Sequence, residues 1–193
     1  EGMKTMADKL HHEMIYRGEA AMERLADAQV VLCGAGAIGS NLAETLARQG
    51  VEKLRVIDFD RVEEHNLSTQ LWVEEDIGAL KVKALENRLY DAMGLEIEGL
   101  AKRLDNKNAA KLLRGAELVI DGLDNHESRA TVKACCEAQG LPCLHAGLAA
   151  DYAEVLWNEG YRVPADAGAD VCDYPLARNL VSLCVAVCAE VAL

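Results

Sequence analysis

Three glycines, Gly34, Gly36 and Gly39, are spaced G-x-G-x-x-G between an apolar run, QVVLC, and a segment of helical pattern, NLAETLARQG. That spacing suits phosphate chemistry. The first glycine permits a tight turn, the second lets a phosphate approach the backbone, and the third allows a helix to pack closely on a strand. Asp58 closes the next apolar run, KLRVI. It lies about 20 residues beyond the glycines, where a carboxylate can hold a ribose hydroxyl. The same device serves NAD, FAD or ATP, so the glycines and Asp58 alone leave the nucleotide open. They are also compatible with a sharp turn in an α/β protein that binds none.

Further along stand Asp58-Phe-Asp60-Arg-Val-Glu-Glu-His-Asn66-Leu-Ser-Thr69-Gln70, then Gly78-Ala-Leu-Lys81, then Leu123-Asp124-Asn125. Taken singly, Lys81 can begin a solvated helix face, Asn66 can make an Asx-turn and Asp124 can cap a helix starting near His126. As an ordered series with the glycine loop, over residues 25–146, they resemble the ThiF/MoeB/HesA family, related to the ubiquitin-activating enzymes. The resemblance implies an ATP-dependent adenylyltransferase that activates the C-terminal carboxylate of a small ubiquitin-like or sulfur-carrier protein. It implies ATP and Mg²⁺ as cofactors and a homodimer. Asp58 would hold the ribose, Asn66 and Lys81 would contact the phosphates, and Asp124 would position Mg²⁺. Asp60, Gln70 and Asn125 belong to the same nucleotide-binding set. The chemistry agrees: a carboxylate attacking an α-phosphate brings two negative groups together, and Lys plus Mg²⁺ offset them. An NAD-dependent oxidoreductase accounts for the glycines and Asp58 but gives the N-L-x-x-Q segment no role. A nucleotide-binding scaffold with weak or lost catalysis is the other alternative.

The chain departs from the family at several places. Relatives usually carry Arg where this chain has Thr69, and Thr lacks both the charge and the forked donors of a guanidinium. Arg48 or Arg17 could substitute, and Arg17 is also the nearest match to an N-terminal Arg that a partner subunit supplies in the family. No C-x-x-C pair is present, so no structural zinc is expected; Cys184 and Cys188, four apart, can share one helix face. Cys172 lies where relatives carry sulfur-accepting or thioester-forming cysteines, and its thiol could attack an acyl-adenylate. Asp170 and Asp173 would disfavour its thiolate. His145 falls in a buried-strand pattern and reads as a core residue, whereas His11 and His12 read as a polar tail.

The elements that would position these residues follow from periodicity. Strands are expected at Gln29–Cys33, Lys53–Ile57, near Ile97, at ELVID, at LPCLHAG and, as an edge, at AEVLW. Helices are expected after the glycine loop with Gly50 as a stop, at Lys81–Met93, 109–114, His126–Gln139 and 177–193. A long polar loop spans about 58–77. Alternating strands and helices predict an α/β, Rossmann-like doubly wound, mostly parallel sheet with helices on both faces. The 193 residues fit a single nucleotide-binding domain over 1–193, with a helical extension over about 1–27. Apolar content of 51% and charged content of 27% favour a folded core over disorder. The net charge of −12 argues against a nucleic-acid partner, which needs clustered Lys and Arg. Seven cysteines, an odd number, with no secretory signal or membrane-spanning run point to reduced thiols and a cytoplasmic protein without a membrane partner. EGMKTM reads in part as an addition to the natural start, and AEVAL closes inside a helical pattern, so the natural chain is expected to continue.

Overall fold

The computed structural model describes residues 6–164 and 175–193. Short helices α1 (Met6–Lys9), α2 (His11–Arg17) and α3 (Glu19–Asp27) precede β1 (Gln29–Cys33), α4 (Ala37–Gln49) and β2 (Lys53–Ile57). Two 3₁₀ turns, Glu64–Asn66 and Glu74–Asp76, punctuate the polar loop. There follow α5 (Lys81–Met93), β3 (Glu98–Leu100), α6 (Ala109–Leu112), β4 (Leu118–Asp121), α7 (His126–Gln139), β5 (Cys143–Ala149), β6 (Tyr152–Trp157) and α8 (Arg178–Ala192).

Six strands form one sheet in the order β3-β2-β1-β4-β5-β6. All neighbours are parallel except β5 and β6, which pair antiparallel at the edge. The chain winds outward from β1 through β2 to β3, then returns to β4 on the other side of β1 and winds outward again. The switch point therefore lies between the carboxyl ends of β1 and β4. The doubly wound α/β fold expected from the strand and helix pattern is the fold observed.

Alternation along β1 builds both layers. Val30 and Leu32 pack with Ile38, Leu42 and Leu46 of α4, Val82, Leu85 and Leu89 of α5, and Val181 and Cys188 of α8. Val31 and Cys33 face the other way, toward Leu112, Leu113, Val132 and Cys136 of the α6 and α7 side. Three helices end where a glycine takes the left-handed conformation and its N–H closes the last turn: Gly50 after α4, Gly94 after α5 and Gly140 after α7. β3 is the strand expected near Ile97, and its three residues pair with Arg55, Val56 and Ile57 of β2. Other elements are shorter than expected. α6 stops at Leu112, two residues short, as the chain turns through Gly115 at φ +80°. β4 begins at Leu118, one residue late.

The N-terminal helices pack on this body. Leu10 and Met22 are buried in the α4 layer, and Arg17 makes a two-pronged ion pair with Glu190 of α8 at 2.7 and 3.2 Å while also holding Glu13. Cys184 and Cys188 do share a buried face of α8, among apolar neighbours. Among the described residues no helix is long and apolar enough to cross a membrane.

His145 is a core residue, as its strand pattern indicated, but it sits in a polar network rather than an apolar one. Its ring is fully buried, with Nδ1–H donating to Asp121 Oδ2 at 2.7 Å and the other nitrogen meeting the Asn158 side-chain amide at 2.6 Å. Tyr161 stacks on it with ring centres 3.8 Å apart. Arg129 joins the group, donating to Tyr161 Oη at 2.8 Å and lying 3.7 Å from Asp121. Replacing His145 with Leu keeps the volume but takes one donor from the buried Asp121 carboxylate, which keeps the Leu123 N–H and the neighbouring Arg129. Losing a hydrogen bond to a buried charged group costs about 1.5–3 kcal/mol. Urea unfolding of His145→Leu is expected to show a loss of about 2 kcal/mol; a loss below about 0.5 kcal/mol, the ordinary surface value, would deny the network any structural role.

Candidate nucleotide site

The glycine loop lies at the switch point. Gly34 leaves β1 at φ +96°, and a Cβ there would stand 3.1 Å from the carbonyl oxygen of Gly122, at the end of β4. Gly39 is tighter: its Cβ would fall 2.0 Å from Gly34 O. These two glycines are required by the protein's own packing. Gly36 is different, since nothing lies within 4 Å of a Cβ built on it. It is the N-cap of α4 and offers no side-chain cap, so the opening turn of the helix keeps N–H groups available to an external acceptor. A bare backbone beside an uncapped helix start suits an approaching phosphate.

Asp58 stands at the end of β2 and is buried. Its two oxygens accept from the N–H of Ala35 and of Asp60, both at 2.7 Å, tying the glycine loop to the β2 end. Burial pushes its carboxyl above the ordinary carboxylate range, against the pull of Lys81 and of those two N–H donors. Lys81, the first residue of α5, is also buried, and its ammonium reaches Asp60 Oδ2 at 3.4 Å. Its backbone N–H donates to Asp60 O at 2.9 Å, so the loop 60–81 closes on itself there. Asp58, Asp60 and Lys81 are thereby brought together.

Asn66 is buried and structural in its visible contacts. Its Oδ1 accepts from Glu63 N–H at 3.0 Å, and its carbonyl receives the N–H groups of Thr69 and Gln70. Gln70 uses Oε1 to accept from the Trp72 indole at 2.7 Å. Asn125, rather than Asp124, caps α7: its Oδ1 accepts from Ser128 N–H at 2.9 Å. Asp124 is left exposed just beyond β4, with no hydrogen bond among the described residues. Cys172, with Asp170 and Asp173, lies outside the described residues.

The two arginines considered as substitutes for a guanidinium at Thr69 are placed elsewhere. Arg48 pairs with Glu44 in the last turn of α4. Eleven residues beyond the helix start, at 1.5 Å each, put it about 16 Å from the glycine loop. Arg17 is held by Glu13 and Glu190 of its own chain. Three site neighbours had no sequence signal beyond their type. Arg129 lies beneath the loop after β4, donating to Leu123 O and Ala146 O. Asn41 and Arg178 both donate to Thr69 O at 2.9 Å.

Comparison with known proteins adds to this geometry. The ThiF family model matches residues 10–186. The sulfur carrier protein adenylyltransferase of Thermus thermophilus is 34% identical over 149 residues, covering 75% of this chain and 55% of that protein. The sulfur carrier protein ThiS adenylyltransferase of Bacillus subtilis is 33% identical over 139 residues, covering 70% of this chain and 41% of that protein. The chain thus spans about half the length of these relatives. Among solved structures, the E. coli tRNA N6-threonylcarbamoyladenosine dehydratase TcdA in complex with ATP is similar, with a TM-score of 0.73 and 26% identity over 76% of this chain and 61% of that one. E. coli MccB with AMPCPP and MccA shares the fold, with a TM-score of 0.81 and 19% identity over 98% of this chain and 62% of that one.

The glycines separate packing from ligand approach in a measurable way. Gly39→Ala forces a side chain against backbone and is expected to cost about 2–3 kcal/mol in urea unfolding. Gly36→Ala is expected to cost less than about 1 kcal/mol, a cap effect only. Equal losses would contradict the assignment of Gly39 to packing and Gly36 to open space.

Proposed function

This chain belongs to the ThiF family, and from that premise we propose that it is an ATP-dependent adenylyltransferase acting on the C-terminal carboxylate of a small ubiquitin-like or sulfur-carrier protein. One observation carries the proposal: the open backbone at Gly36, the buried Asp58 and the buried Lys81 all occur at one carboxyl edge of the sheet, with Asp124 just beyond it. Ligands of open α/β sheets bind at that edge. The net charge of −12 favours a protein-borne carboxylate over one carried on nucleic acid.

In this reading the phosphates of ATP lie on Gly36 and the first turn of α4, where N–H groups and the helix dipole favour negative charge. Asp58 takes the ribose hydroxyls with the acceptor capacity left after its two N–H contacts. Lys81 turns its ammonium from the long contact with Asp60 toward the phosphate under attack. The carrier's carboxylate oxygen bonds to the α-phosphorus as the bond to the bridging oxygen breaks, and pyrophosphate leaves, giving an acyl-adenylate. Lys81 offsets charge on both partners in a low-dielectric setting, where such stabilisation is large. Asn66, Gln70 and Asn125 act through placement, the first two by shaping the 63–72 loop and the third by capping α7. Asp124 is the carboxylate suited to Mg²⁺, since that ion is held by one or two carboxylates plus substrate phosphates and supplies neutralisation of their charge. Cys172 is the thiol proposed to take the acyl group from AMP. A homodimer in the cytoplasm belongs to the same proposal, and residues 1–193 are read as one nucleotide-binding domain within it.

Calorimetric titration of the purified chain should show saturable binding of Mg·ATP, weakened about tenfold or more by Lys81→Ala and by Asp124→Ala, in line with loss of a charge-assisted contact. Gly36→Ala, though stable, should weaken it as well. NAD binding that ignores all three substitutions would overturn the proposal in favour of an oxidoreductase.

A further inference from the structure

Arg178 opens α8 and reaches across to the 66–72 loop. Its Nη1 donates to Thr69 O at 2.9 Å and to Gln70 O at 3.4 Å. Thr69 O is shared: Asn41 Nδ2 donates to it at 2.9 Å, and the same amide donates to Ala37 O, the first residue of α4, at 2.7 Å. One carbonyl oxygen therefore ties this guanidinium to the helix start on which the phosphates are proposed to lie. The residue is exposed, and among the described residues its Nε and Nη2 make no hydrogen bond. Among the described residues a fork of donors is left over, held by one prong.

The charge around that helix start favours such a group. Asp58, Asp60 and Asp124 all lie at this edge, and Lys81 is shared with Asp60. Arg129 is buried and committed to Leu123 O, Ala146 O and Tyr161 Oη. Arg48 and Arg17 are bound by carboxylates elsewhere. A triphosphate brought to this edge meets Asp58, Asp60 and Asp124 together with Lys81 and, over the Phe59 ring, Arg103, and a further guanidinium would add to the attraction, since it suits phosphate oxygens by shape as well as by charge.

We propose that Arg178 is a phosphate-binding residue of the nucleotide site, donating to the terminal phosphates of ATP from the nitrogens that Thr69 and Gln70 leave unused. The assignment rests on the ATP reading given above. It places a specificity element at the start of α8: the contact distinguishes ATP from AMP, since AMP lacks the phosphates that Arg178 would reach.

The test is calorimetric titration of the wild type, Arg178→Gln and Arg178→Lys with Mg·ATP, Mg·ADP and AMP, with a thermal melt of each variant. Arg178→Gln is expected to weaken ATP binding about tenfold and to leave AMP within about twofold, as loss of a charge-assisted phosphate contact predicts. Arg178→Lys keeps the charge without the fork and should weaken ATP by about threefold with AMP again unchanged. Should Arg178→Gln melt too low to titrate, the lysine variant carries the comparison. An equal loss for ATP and AMP, as a loosened 66–72 loop would give, overturns the assignment, and so does no loss for either. If the wild type binds none of the three nucleotides, the ATP reading falls and this inference with it. If the wild type binds ATP and both variants match it, only the inference falls.

Discussion

Where the chain leaves β1 it turns so tightly into α4 that Gly39 rests against the carbonyl of Gly34, at a separation no side chain tolerates. That contact sets the position of α4 on the sheet, and the position of α4 sets nearly everything else at the switch point. It points the helix start across the crevice toward Gly122 and the loop after β4. It brings Ala35 within 2.7 Å of Asp58, so the end of β2 is fixed to the glycine turn by a carboxylate rather than by packing alone. It also presents Asn41 to Thr69, which anchors the middle of the long polar loop. A loosened turn would disturb three segments at once, although each also has a link of its own: Gly34 N–H to Ile57 O, Gly122 N–H to Cys33 O, and Arg178 to Thr69 O.

Sequence periodicity predicted the sheet well because each strand is short, apolar and bounded by a turn or a helix stop. QVVLC and KLRVI appear as β1 and β2 at the expected residues, and AEVLW lies on the edge within β6. The helix stop at Gly50 was legible for the same reason, since a left-handed turn leaves a glycine in the sequence. Boundaries set by pairing were less legible. β4 opens at Leu118, where its pairing with Val30 of β1 begins, and nothing in its own residues says so.

The site was legible only where it rests on local sequence. The glycines, Asp58 and Lys81 each stand at the end or start of an element, so their convergence follows from the fold. The long-range partners left no such trace. Asp121 and His145 lie 24 residues apart on adjacent parallel strands, and their bond depends on strand order, which no local pattern encodes. Asn125, rather than its neighbour Asp124, caps α7, a distinction decided by one residue of register. The guanidinium nearest Thr69 comes from a helix 109 residues later, whereas Arg17 and Arg48, nearer in sequence, are drawn to carboxylates on other faces.

An acidic edge is an odd place for an anion, and the resolution lies in how each carboxylate is used. Asp58 is occupied by two N–H donors and stands near Lys81, which partly offsets it. Asp60 is matched by the Lys81 ammonium. Asp121, below the loop, accepts from His145 and from the Leu123 N–H and has Arg129 beside it. Three of the four acids are thus compensated within a few ångströms, and at that range local partners outweigh the net charge of the chain, which salt screens beyond about 8–10 Å. Asp124 differs: it is exposed and makes no hydrogen bond among the described residues. An uncompensated carboxylate beside compensated ones would repel a bare phosphate and favour one that arrives with a divalent cation. If the proposed site is the nucleotide site, Asp124 would on this physical ground favour a metal-bound nucleotide over a free one.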